Sequence, residues 1–351
     1  MPAHLELHRT RVICGPDINL HTESALSSNE YMPLGANSAS TLDLASFKSN
    51  FAIEVKSYTE DEMTFEMRGA SCALANALRR TMIAETPTMA IEHVFVVNNT
   101  SIIPDEMLAH RLGLVPLLAH PRDFEWRRSD ESLTDRNCTV FRLKVRCWRD
   151  SNGVVVNGSV YSDALEWLPA GSEMPEETGC VFAQSQEGRL SQGPGPVEDK
   201  ILLARLRPGQ EIEIECVAVK GVGEDHAKFS PVATAWYRLL PEVVLLREVR
   251  GEDAHELQRE LPGLVEVSPQ GLASVDSSTD HALKHDKLLE RVRRLSGEER
   301  WQGAIQLRKL KTAFLFTIQS TGAWMPHELF SHATRVVASK CDKVLEGLQT
   351  F

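Results

Sequence analysis

The sequence predicts an α+β protein of more than one domain, from two kinds of periodicity and two breaks. Apolar residues alternate with polar ones around 51–67, 141–147, 212–218 and 314–318, as in strands with one buried face. They recur every three or four residues in 71–86 and 326–349, as in amphipathic helices. Between these lie QSQEGRLSQGPGPVED at 184–199 and SPQGLASVDSSTD at 268–280, rich in Ser, Gly and Gln and read as loops or linkers.

Residues 1–48 include HTESALSSNEYMPLGANSAS, a Ser- and Asn-rich stretch without sustained period, so they read as a mobile N-terminal extension. Phe51, Ile53 and Val55 then alternate with polar residues, Thr59-Glu60-Asp61-Glu62 makes a turn, and Met63, Phe65 and Met67 alternate again: a β-hairpin with one buried face. A helix opens at Ser71, whose hydroxyl can accept a first-turn N–H, and stops at Thr86-Pro87. Leu74, Leu78 and Met82 form its apolar stripe, with Asn76, Arg79 and Arg80 elsewhere on its surface.

His93–Val97 reads as a short strand. Pro104 opens a helix with Asp105 and Glu106 in its first turn and His110-Arg111 in its last, complementing the helix dipole, and Gly113 is the expected stop. Phe141, Leu143, Val145 and Cys147 form one half-exposed strand, and Ile212, Ile214, Cys216 and Ala218 alternate with acids in another, so the middle of the chain is a β-rich second domain. Phe314, Phe316 and Ile318 make a strand, and Pro326 starts a last helix with Leu329, Phe330, Ala333, Val336, Val337, Cys341, Val344, Leu345 and Leu348 spaced three and four apart.

Composition restricts function. The chain has 351 residues and 42% hydrophobic content, enough for real cores. No apolar run of about 18 residues and no basic start with an apolar core is present, so neither membrane spanning nor secretion is expected, and the chain is placed in the cytosol or nucleus. A net charge of −11 argues against holding nucleic acid by phosphate neutralisation, so any work on DNA goes through partners. The segment 284–311 is a local exception, with nine basic residues against four acidic; it reads as a solvated helix face or as the dock of an acidic protein. Seven cysteines without a Cys-x-x-Cys pair fit neither a disulfide framework nor a zinc ribbon.

Catalytic readings fail on spacing. Glu106 and His110 lie at i and i+4 beside Asp105, but His-Glu-x-x-His is missing. Asp225, His226, Lys228 and Ser230 crowd one loop without a Gly-x-Ser-x-Gly elbow, and Gly221-Val222-Gly223 lacks the rest of a phosphate-binding motif. No catalytic, cofactor-binding or metal residue is expected, leaving a metal-dependent enzyme as a distant alternative.

Ala-Asn-Ala-Leu-Arg-Arg at 75–80, Pro87-Thr88 and Ala-His-Arg-Leu-Gly-Leu at 109–114 resemble the dimerisation region of the α-like subunits of cellular RNA polymerases. The resemblance continues through AHPRDFEWR at 119–127, FRLKVRC at 141–147, LLARLRPGQEIEI at 202–214, GVGEDHAKFSPVATAWYRLLPEV at 221–243 and FLFTIQSTG at 314–322, and covers roughly residues 50–350. Within this family the chain is similar to the form shared by polymerases I and III. The polymerase II form typically carries a cysteine-ligated zinc, whose ligand pattern is missing here, and stands as the alternative.

The resemblance implies a discontinuous dimerisation domain from 49–89 and 296–351 with an inserted β-rich domain at 90–295. It implies a non-catalytic assembly and scaffold subunit that heterodimerises with a smaller α-like subunit and supports the large catalytic subunits in rRNA, 5S rRNA and tRNA transcription, in the nucleus and nucleolus. Contacts with the second-largest subunits and with small zinc-bearing subunits follow, DNA being met only through the complex. The interface residues it implies are Leu74, Asn76, Leu78, Arg79, Arg80, Met82, His110, Arg111, Asp225, His226, Lys228, Phe229, Phe330, Val337, Val344 and Leu348.

Overall fold

The computed structural model describes residues 3–22, 44–128, 130–190, 193–275 and 286–349. The chain is α+β, and its described residues fall into two compact units, one drawn from 1–57, 64–76 and 236–316, the other from 58–63, 77–235 and 317–351.

The first unit carries a sheet in the order Asn19–Leu20, Arg11–Cys14, Ile305–Ser320, Glu62–Arg68, Ala52–Tyr58, with Val232–Leu245 also paired to Ile305–Ser320. Alternation in Glu62–Arg68 turns Phe65 and Met67 inward, where Phe65 stacks on Phe316 at 5.2 Å and Tyr237 meets Phe314 edge-on at 5.4 Å. The partner strand behaves otherwise: Ile53 and Val55 are 42% and 54% exposed on the sheet edge, so only one strand of the expected hairpin buries its apolar face. A second cluster, including Leu257, Leu261, Val292, Leu295 and Trp301, fills the space beneath helices Glu252–Glu260 and Asp286–Leu295.

Two regions read as unstructured contain ordered elements. Within the expected mobile extension, Ala3–Thr10 is a helix and Arg11–Cys14 pairs antiparallel with Leu307–Leu310, burying Val12 and Cys14. A four-residue strand carries only two inward side chains, too few for a visible period. Residues 23–43 of that extension lie outside the described residues. In the expected linker 268–280, Ser268 to Gly271 turn, with Gly271 at a φ of 75°, and Ala273–Val275 pairs with Val265–Val267; residues 276–280 lie outside the described residues.

The second unit is organised by an antiparallel sheet in the order Leu165–Trp167, Cys138–Arg146, Glu211–Val222, Pro87–Asn99. The central strand is covered on both faces. Ile212, Ile214, Cys216 and Ala218 pack with Phe141, Leu143 and helix residues Leu108 and Leu112, while Val217 and Val219 pack on the other side with Val140, Cys138 and Phe229. The strand expected at His93–Val97 is longer, beginning at Pro87 itself. Helix Asp105–Gly113 starts after Pro104 and ends at Gly113, both as expected, and its cap is Leu114 in right-handed conformation. Gly113 is buried against the sheet, where a Cβ would lie in ordinary contact with the Ile91 carbonyl oxygen at 3.4 Å. Among the described residues no helix is long and apolar enough to cross a membrane.

Candidate partner-binding surface

The first candidate element is helix Cys72–Ala84. Ser71 Oγ accepts the Leu74 N–H at 3.3 Å, and the buried Thr86 closes the other end by donating its N–H and its hydroxyl to the Thr81 carbonyl. Leu78 and Met82, expected at a partner interface, are instead 2% and 0% exposed in this chain, covered by its own fold. Leu74, Asn76 and Arg79 are half-buried and Arg80 is exposed, so any partner meets this outer face.

The C-terminal helix Pro326–Gln349 is held at its start and bare toward its end. Trp324, just before it, is buried and donates its Nε1–H to the Pro87 carbonyl at 2.8 Å. Against the Trp324 ring lie His120 at 4.7 Å, His332 at 5.1 Å and the Arg122 guanidinium at 4.8 Å, and Arg122 donates to Glu328 at 3.3 Å. Leu329 and Ala333 are fully buried; Phe330 and Val337 are half-buried. From 338 every described residue is exposed, and Val344, Leu345 and Leu348 stand at 63%, 57% and 67%. Lys340 Nζ pairs with Glu85 at 2.6 Å, which sets this helix beside the end of the first. Leu345 shares the exposed stripe with the expected Val344 and Leu348; its helical spacing was the signal that could have added it.

In the loop at 221–231, the His226 ring accepts the Lys228 N–H at 3.1 Å and caps the short turn Ala227–Phe229. Lys228 Nζ donates to the Ile91 carbonyl at 2.9 Å and pairs with Glu92, and Phe229 is buried, so these two residues hold the loop to the sheet. Asp225 and His226 remain exposed. Gly221 and Gly223 are packing glycines: a Cβ on Gly221 would lie 2.7 Å from the Phe229 ring and one on Gly223 2.2 Å from the Ile83 carbonyl oxygen. Arg111 donates to the Leu202 and Leu203 carbonyls, the latter at 3.0 Å, while His110 beside it is exposed. Ile102 and Met107, absent from the expected set, are exposed near them; isolated apolar residues carry no signal of exposure.

Asp105 accepts a bond from Asn99 at 2.6 Å rather than facing His110. Among the described residues no group of three or more His, Cys, Asp or Glu is placed to hold a metal ion.

Residues 64–341 match the family model described as the RNA polymerase Rpb3/Rpb11 dimerisation domain. Curated relatives named "DNA-directed RNA polymerases I and III subunit RPAC1" are similar over nearly the whole length. The Mus musculus protein is 40% identical over 98% of this chain and 96% of its own, and the Homo sapiens protein 42% over 86% of each. The Saccharomyces cerevisiae protein is 33% identical over 94% of this chain and 96% of its own. With an α+β fold and a family match over most of its length, the chain belongs to the RNA polymerase subunits built on the Rpb3/Rpb11 dimerisation domain, in the form shared by polymerases I and III.

Proposed function

We propose that this chain is a non-catalytic assembly subunit that heterodimerises with a smaller α-like subunit through the far half of helix Pro326–Gln349 and the outer face of helix Cys72–Ala84. The observation that carries the reading is the exposed stripe Val344, Leu345 and Leu348, on a helix whose buried side chains all lie at its near end. Burying side chains of this size is worth roughly 1.5–3 kcal/mol each, so a covering partner gains substantially. In this reading the dimerisation domain is discontinuous with a β-rich second domain inserted, and the sheet of Cys138–Arg146 and Glu211–Val222, lying in the middle of the chain, supports it.

The names of the relatives extend the reading to polymerases I and III, hence to rRNA, 5S rRNA and tRNA transcription in the nucleus and nucleolus. Arg79 and Arg80 then face the second-largest subunit, since a guanidinium fork matches carboxylates or carbonyls at an interface. Asp225 and His226 face the small zinc-bearing subunits, and DNA is contacted only through the assembly.

The test is the double substitution Val344→Asp with Leu348→Asp in a tagged chain. Both side chains are exposed, so the melting temperature stays as in the parent while capture of the smaller α-like subunit falls at least tenfold. Undiminished capture overturns the assignment. Leu78→Asp would not serve, because it puts a charge into the chain's own interior.

A further inference from the structure

Two of the seven cysteines pack in the core of the second unit, and that packing brings their sulfurs together. Cys138 opens strand Cys138–Arg146, and Cys180 follows helix Pro175–Thr178 after Gly179, a left-handed turn with a φ of 64°. Both are buried, and their sulfurs are 3.6 Å apart. The pair belongs to the second unit's cluster with Leu133, Val140, Val217 and Phe229. Cys180 is held in place by a β-bridge to Leu133 and by the Val181 N–H on the Leu133 carbonyl at 3.1 Å. Cys138 Sγ lies 3.2 Å from the Thr134 carbonyl oxygen.

We propose that Cys138 and Cys180 are a modification site: a dithiol that peroxide closes to an intramolecular disulfide. The sulfurs need to approach by roughly 1.5 Å to reach bonding distance, within the range of small rotations about the Cα–Cβ bonds. Acidity divides the roles. The Cys138 S–H can turn onto the sulfur of Cys180 and stabilise its thiolate, drawing the Cys180 thiol below its ordinary range, while Cys138, bonded to its neighbour and buried, is pushed far up. Cys180 is itself buried, but Gly179 and Val181 on either side of it are exposed, so a local opening of this short segment is the route by which peroxide reaches the sulfur.

The reaction balances with one hydrogen peroxide. The Cys180 thiolate attacks a peroxide oxygen, an S–O bond forms as the O–O bond breaks, and the released hydroxide takes a proton to become water. The Cys138 sulfur then attacks the Cys180 sulfur; the S–S bond forms, the S–O bond breaks, and the departing hydroxide leaves as water with the Cys138 proton. Two thiols are oxidised, one peroxide is reduced to two waters, and a dithiol reductant reverses the change. The cross-link ties the segment after Pro175–Thr178 to the sheet.

The experiment uses the full chain, freed of reductant, treated with equimolar hydrogen peroxide, blocked with an alkylating reagent and digested with trypsin without reduction. The expected result is a peptide pair joining 137–142, which holds Cys138, to 150–189, which holds Cys180, together with loss of two of the seven free thiols. Dithiothreitol restores both thiols. In Cys180→Ala the 137–142 peptide is recovered alkylated. Recovery of both peptides alkylated from the oxidised parent, while the exposed Cys72 and Cys341 are oxidised, overturns the proposal. So does finding Cys138 and Cys180 oxidised on separate peptides.

Discussion

Two histidines flank the indole that fixes the start of the C-terminal helix, and their titration couples that anchor to pH. His332 is held below the ordinary histidine range by burial first and then by the Arg122, Arg335 and Lys220 charges. His120 is lowered by burial first, with Glu328 opposing and Arg122 reinforcing. Because both folded values lie below the unfolded value, the unfolded chain binds more protons as pH falls through the range below about 6.5. Stability from this source is therefore complete above that pH and declines below it. His332 Nδ1 is buried without a hydrogen-bond partner, so His332→Leu forfeits no bond through that atom. The urea midpoint of the parent should drop between about pH 7.5 and about pH 5.5, and His332→Leu should lose less over the same interval. An equal or steeper drop in the variant would remove the histidine from this account.

At the scale of elements, what could be read from the sequence depended on how many side chains each element turns inward. The strands Cys138–Arg146 and Glu211–Val222 are long enough for alternation to declare them, and the register Cys216 opposite Phe141 joins two residues singled out by that alternation. Strand Arg11–Cys14 and the Val265–Val267 hairpin are too short to do so. A different limit applies to the two long helices. An apolar stripe has the same spacing whether its own chain or another covers it, so Leu78 and Val344 looked alike in sequence, yet one is buried and the other bare. The proposed surface was legible as amphipathic helix but not as to which part of the stripe is free. Hydrogen exchange reads this difference directly. In the isolated chain, amides of 341–349 should exchange far faster than those of 77–84, and the smaller α-like subunit should slow 341–349 at least tenfold. Protection of 341–349 that is unchanged by the partner would mean the helix end is not the docking element.

Over the whole molecule, the decisive quantity is the distribution of charge. The 49 acidic residues outnumber the 38 basic ones, and the basic stretch that seemed to invite an acidic partner is largely occupied from within. Arg291 pairs with Glu260 at 2.8 Å, Arg300 with Asp253 at 2.6 Å and Glu256 at 2.7 Å, and Arg293 donates to the Gly15 carbonyl at 2.6 Å. The local excess of cations thus serves the first unit's own packing. A duplex approaching the chain would meet a repulsive net field, and the cations of this segment named above are already engaged within the chain. The purified chain should therefore give no saturable binding to a fluorescent DNA duplex up to about 10 μM at about 0.15 M salt. Substituting Arg291 and Arg300 by Gln should leave that result unchanged while lowering thermal stability, because those side chains act on their own unit. Micromolar binding by the parent, weakening steeply with added salt and lost in the double variant, would instead assign the segment to DNA and require that its ion pairs open on contact.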